Sequence, residues 1–162
     1  MALICKNGKL EKKDGYEVCR GEKWQGKLRY DLTEILPNRQ TIGHWHTPGF
    51  PELFEVISGR AIFLTQSGNK TYAIEAKEKE QIVVMPDFSI RTINPSLDNN
   101  LIVSNWIDDG VKNDYNNAFE KIPKPTKLRS KKLPAELKNF DFLSNPEKYK
   151  KFLGIDNLYE KI

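Results

Sequence analysis

From Leu28 to Ile107 the chain runs in short apolar segments, cut by turn-forming residues roughly every 8 to 12 positions, a rhythm that predicts an all-β sandwich or barrel. Leu28, Tyr30 and Leu32 alternate before the break at Leu36-Pro37-Asn38. Leu53 to Ile57 and Ala61 to Thr65 flank Ser58-Gly59-Arg60, a connection suited to a hairpin. Ser67-Gly68-Asn69 turns the chain into the alternating Tyr72, Ile74 and Ala76. Ile82 to Met85 stops at Pro86, Arg91 to Ile93 stops at Asn94-Pro95, and Leu101 to Ile107 supplies a last strand before Asp108-Asp109-Gly110. The first 25 residues mix Lys, Glu and Gly and read as irregular, with one edge strand at most.

The character changes after Phe119. Pro123, Pro125 and Pro134 punctuate a lysine-rich stretch that reads as extended and surface-bound. Asn145-Pro146-Glu147 then predicts a helix, with Asn145 as N-cap, Pro146 in the first turn, an apolar stripe of Tyr149, Phe152 and Leu153, and Gly154 as its stop. The expected organisation is a barrel over residues 1–120 and, over 121–162, an extension with a short helix, packed on the barrel or on a partner subunit.

With 162 residues the chain is long enough to bury one substantial core. Its net charge is +4, and much of the surplus lies in Lys124, Lys127, Arg129, Lys131 and Lys132, a run that reads as a solvated face. Basic residues interleaved with exposed aromatics are missing, which argues against nucleic-acid binding; a small anionic substrate fits the charge. No 18-residue apolar stretch occurs, so no membrane span is expected. Met1-Ala2-Leu3-Ile4 is too short an apolar run for a secretory signal, and Cys5 and Cys19 do not form a CxxC pair; a disulfide between them is geometrically possible, but no secretory signal supports one. The expected setting is a reducing cytoplasm with both thiols free.

The only two histidines stand one residue apart in Gly43-His44-Trp45-His46, and Glu52 and Gly59 follow at +6 from His46 and +7 from Glu52. Side chains alternate along a strand, so His44 and His46 point to one side. Two imidazoles and a carboxylate are the protein half of a divalent-metal site, suited to zinc or, with open positions left for substrate, to iron.

This spacing resembles the first signature of the cupins, small double-stranded β-helix (jelly-roll) barrels. Thr41-Ile-Gly-His-Trp-His, Pro51-Glu-Leu-Phe-Glu-Val-Ile-Ser-Gly, Ile93-Asn-Pro, Asn105-Trp-Ile and Asp114-Tyr115 together resemble the cupin-type glucose-6-phosphate isomerases of archaea and bacteria, over roughly residues 26 to 120. The resemblance implies a metal-dependent interconversion of glucose 6-phosphate and fructose 6-phosphate through an enediol, and a homodimer. It implies that His44, His46 and Glu52 hold iron, manganese, nickel or zinc. Glu52 also matches the proton-moving carboxylate, Thr41 and Gly43 match residues that contact the sugar phosphate, and Tyr115 matches an active-site tyrosine.

Three positions depart from the family pattern. A third histidine is Ile90 here, a tyrosine two residues after the glutamate is Phe54, and a histidine just before Asp-Tyr is Asn113. Asp87 replaces the missing ligand only through a shift of strand register. These departures leave a second reading open, a cupin that binds a sugar phosphate without turning it over. A third is a cupin oxygenase or epimerase built on the same three ligands. Strand parity turns Arg91 away from the face of Ile90, and Arg60 is the other candidate for a phosphate. Trp45 and Trp106 read as core or barrel-wall residues rather than sugar-stacking platforms, and Trp24 fits either role.

Overall fold

The alternating segments resolve into thirteen strands: β1 (Lys9–Lys13), β2 (Tyr16–Gln25), β3 (Leu28–Ile35), β4 (Trp45–Thr47), β5 (Glu52–Ser58), β6 (Arg60–Ser67), β7 (Lys70–Lys77), β8 (Gln81–Val84), β9 (Ser89–Ile93), β10 (Leu101–Asp108), β11 (Lys112–Asp114), β12 (Thr126–Ser130) and β13 (Tyr159–Lys161). The structure, a computed structural model, describes residues 5–119 and 121–162; Met1–Ile4, weighed above as a signal, and Glu120, the expected end of the barrel segment, lie outside the described residues. One sheet runs β1-β2-β3-β10-β5-β8 and a second runs β13-β12-β7-β6-β9, while β4 and β11 form a two-stranded ribbon. Two antiparallel-dominated sheets facing each other across one apolar interior make a jelly-roll barrel. Phe63, Ile74, Ile82, Leu101 and Ile35 are fully buried within it.

Two connections show how the chain closes this shape. Gly68-Asn69 makes the expected two-residue hairpin, with Ser67 opposite Lys70. Ser58-Gly59-Arg60 does not. β5 pairs with β10 and β8, whereas β6 pairs with β7 and β9, so Gly59 is a corner that carries the chain from one sheet to the other. Its φ of +99° suits glycine, and a Cβ there would lie 3.1 Å from the Asn100 carbonyl.

Residues 5–25 are also more ordered than their composition predicts. β1 and β2 form an antiparallel hairpin, and β2 adds to β3 with a register shift between Cys19 and Lys23. Tyr16 and Val18 alternate into the core. The expectation of free thiols is corrected here: Cys5 and Cys19 are joined in a disulfide with Cα atoms 5.6 Å apart. The Glu22 carboxylate accepts the backbone N–H groups of Lys6 and Asn7 and folds this segment back along β2, which brings two cysteines 14 positions apart into contact.

The segment after residue 120 belongs to the barrel rather than hanging from it. β12 pairs in parallel with β7, and β13 pairs antiparallel with β12. Leu128, Leu137, Phe142 and Leu143 are wholly buried. Phe140 packs on Trp106, which stacks on Tyr30, so the stretch between β12 and β13 covers the outer face of the first sheet. The lysines and Arg129 stay exposed on this framework. The expected helix is 3₁₀, Pro146–Phe152, interrupted at Tyr149. Asn145 stands at its N-cap without capping it, because its side chain donates to Asp141 Oδ1. Past Gly154 one α-turn, Ile155–Leu158, leads into β13.

Candidate metal centre and cavity

Three elements bring His44, His46 and Glu52 together. His44 precedes β4 and exchanges both backbone hydrogen bonds with Ile90 of β9, at 3.1 and 3.0 Å. His46 lies in β4, and Glu52 opens β5 in the first sheet. The two imidazoles are 5.2 Å apart, and one ligand atom from each of the three residues lies within 4.8 Å of the others. Among the described residues, the other grouping of ligand-type side chains, Cys5, Cys19 and Glu22, has its sulfurs in the disulfide and offers no thiolate.

Hydrogen bonds fix how the imidazoles present themselves. His44 Nδ1 lies 3.3 Å from the Ile42 carbonyl and His46 Nδ1 lies 3.2 Å from the Phe50 carbonyl. A carbonyl only accepts, so each Nδ1 carries the proton and each Nε2 keeps its lone pair. His46 Nε2 then faces Glu52 Oε1 at 3.2 Å, and both atoms are buried without a hydrogen-bond partner. Two lone pairs opposed in a buried site are costly unless a cation lies between them. The donor set therefore fits a divalent ion, with His44 as the third ligand.

The electrostatics agree. Burial holds His44 below the usual imidazole range, with His46 adding to the effect and Glu52 opposing it, so its lone pair is available near neutral pH. Burial also opposes a charge on His46, but the negative charge of Glu52 and the Phe50 carbonyl overcome it, so that without metal the ring takes up a proton more readily than usual. Glu52 is fully buried, yet His46 and His44 hold its carboxyl below the usual range.

The centre opens into a cavity in which the centre of a water molecule can roam about 60 Å³. Thr41, Tyr16 and Tyr115 line it. Each hydroxyl accepts a protein donor: Thr41 Oγ1 from the Thr92 N–H at 3.0 Å, Tyr16 from the Ile42 N–H at 3.3 Å and Tyr115 from Asn113 Nδ2 at 3.2 Å. Their own protons are left to donate to a ligand, and burial pushes the Tyr16 phenol up, keeping it protonated. The Tyr115 ring sits edge-on to His44 at 5.7 Å. This wall is built to bind an oxygen-rich molecule.

Ile90 and Phe54 also line the cavity, and Ile90 stands directly across from His44. Asp87 sits in the turn before β9, where its N–H bonds the Gly49 carbonyl, so no register shift brings it to the centre. Gly43 does not line the cavity: a Cβ there would lie 2.5 Å from the Phe119 ring, so its bareness lets Phe119 pack close. Arg91 points the other way, with its guanidinium 5.2 Å from Phe119, and Arg60 lies in grooves elsewhere. Sequence reasoning missed Tyr16, Arg20, Thr33 and Asn105, all of which line the cavity. The alternation of Tyr16, Val18 and Arg20 was the signal for the N-terminal ones.

A two-sheet jelly roll with two histidines and a glutamate converging at one end of its interior defines a cupin. Solved structures share the fold: oxalate decarboxylase from Bacillus subtilis at pH 4.6 (TM-score 0.59, 17% identity, 67% of this chain and 30% of that one), CapF with the inhibitor 3-isopropenyl-tropolone (0.54, 14%, 61% and 30%) and vicilin from Capsicum annuum (0.52, 13%, 62% and 30%). The chain spans about 30% of the length of these neighbours, and at such identities the likeness is one of fold. No curated protein sequence matches it. The model of the glucose-6-phosphate isomerase (GPI) family matches residues 10–123, and the chain belongs to that family. No helix among the described residues is long and apolar enough to cross a membrane.

Proposed function

We propose that this cupin is a metal-dependent sugar-phosphate isomerase that interconverts glucose 6-phosphate and fructose 6-phosphate. The observation that carries the reading is the opposed, unsatisfied pair of His46 Nε2 and Glu52 Oε1 beside His44, at the end of a cavity whose hydroxyls are free to donate. Aldose–ketose isomerisation moves a proton between C1 and C2 through an enediol, and it needs a base and a positive centre for the developing oxyanion. His44, His46 and Glu52 would hold a divalent ion, which would supply that positive centre. Thr41 and Tyr16 hold sugar oxygens by donating to them. In this reading Glu52, which lines the cavity, carries the proton, and Tyr115, whose ring lies beside His44, assists at the neighbouring oxygen.

One observation favours a second reading, in which the ligand is bound without turnover. Ile90 and Phe54 make the wall around the centre apolar where a further imidazole and hydroxyl would stand. Turnover of fructose 6-phosphate, measured on protein loaded in turn with iron, manganese, nickel and zinc, separates the two. Activity that His44→Ala abolishes supports the isomerase, whereas no turnover with any ion leaves the binding protein.

A further inference from the structure

Arg20 enters the cavity from β2, an element with no part in the metal centre. The residues that follow it set its direction. The register of β2 on β3 shifts between Cys19 and Lys23, Gly21 takes φ +77°, and its N–H donates to Asp31 Oδ1 at 2.9 Å. A bulge of this kind re-aims a side chain.

The surrounding charges are spent unequally. Arg29 uses Nε and one Nη on Asp31 and the other Nη on Asp109. Asp31 also accepts from Asn105 Nδ2, and Arg20 Nη1 stops 3.8 Å short of it. Arg20 donates a hydrogen bond through Nε to Glu11 at 2.9 Å, and its Nη1 forms only the longer ion pair with Asp31. Its Nη donors make no hydrogen bond to protein among the described residues, although the side chain is only 26% exposed. Lys13, also on the cavity wall, has no ion-pair partner among the described residues. Lys13, Arg20 and Arg29 balance Glu11, Asp31 and Asp109 in charge, so the pull on an anion comes from directed donors. A guanidinium oriented through Nε with its Nη edge unused is a fork for two oxygens of an oxyanion.

We propose that Arg20, with Lys13, forms an oxyanion subsite that takes the phosphate of the sugar phosphate while the carbonyl end lies towards His44, His46 and Glu52. The ligand's identity rests on the isomerase reading; the anion site itself does not. Arg20 then sets specificity for phosphorylated over free sugars.

Calorimetric titration of wild type, Arg20→Ala and Arg20→Lys with inorganic phosphate, fructose 6-phosphate and fructose tests this, with melting temperature and manganese binding checked for each variant. The expected result is phosphate and fructose 6-phosphate binding weakened roughly ten- to hundredfold in Arg20→Ala and less in Arg20→Lys, with manganese binding unchanged. Fructose, lacking the anion, binds wild type and Arg20→Ala alike. Loss of phosphate binding in Arg20→Ala without fructose 6-phosphate turnover in wild type supports the subsite and removes only the isomerase reading. Wild type that does not bind phosphate, or Arg20→Ala that binds it equally well, overturns the proposal. Should Arg20→Ala fail to fold, Arg20→Lys decides alone, and unchanged phosphate affinity in it counts against the fork.

Discussion

At the scale of single residues, the metal centre depends on which ring nitrogen carries the proton. The Ile42 and Phe50 carbonyls claim Nδ1 of His44 and His46 and leave both Nε2 atoms for a cation. Ile90 lies across from His44 and cannot coordinate, so the candidate centre offers His44, His46 and Glu52 without a third imidazole. Ile90→His is therefore expected to add a fourth ligand and tighten manganese or zinc binding by about tenfold or more, read by competition with a chelator; unchanged affinity would show that position 90 does not reach the ion. Gly43→Ala pushes a methyl group against Phe119 and is expected to cost about 1–3 kcal/mol, read from denaturant unfolding, while metal affinity stays within a few fold. That His44, His46 and Glu52 converge was legible in the sequence, because strand period puts the two imidazoles on one side and the interval to Glu52 matches the cupin signature. The role of Gly43 was not, since the ring it accommodates comes from Phe119, far along the chain.

At the scale of elements, short-range patterns identified strands better than they identified pairings. Ser58-Gly59-Arg60 suits a hairpin or a corner equally, and the choice is made by the partners of β5 and β6 in different sheets. The N-terminal hairpin was hidden because β1 is an edge strand, and the Lys and Glu it exposes are residues that protect such an edge from unwanted pairing. The closing segment kept its helical start signals, but Asn145 gave its side chain to Asp141 and Tyr149 left helical geometry, so a 3₁₀ stretch formed. The disulfide ties residues 5–8 to β2, the strand that carries Tyr16 and Arg20 into the cavity. Opening a loop of this length is expected to cost about 2–3 kcal/mol. Cys5→Ser should show that loss in denaturant unfolding, matched by wild type under reductant; a reductant-insensitive midpoint would mean that the bond adds no stability.

At the scale of the molecule, the two sheets, the β12 and β13 additions and the covering segment share one interior, and Tyr159 spans them by donating its hydroxyl to the Val83 carbonyl. Burial pushes this phenol far above its ordinary value near 10, with the Val83 contact opposing only in part. The folded form thus holds a proton that the unfolded chain releases, and stability is expected to fall as pH rises above about 10. Tyr159→Phe should flatten that alkaline limb in thermal melts at successive pH values; a limb unchanged by the substitution would assign it to other groups. Overall architecture was legible from turn spacing, while the end of the cavity lined by Lys13, Arg20 and Arg29 was not, because it is built on β1, β2 and β3, and the Lys- and Glu-rich start of the chain hides its strands. The account turns on His44, His46 and Glu52 holding one divalent ion. Manganese binding to chelator-stripped protein, counted per chain by equilibrium dialysis, tests that directly: one ion per chain, lost in His44→Ala and Glu52→Gln, is the predicted result, and no bound ion, or binding unaffected by either substitution, would contradict it.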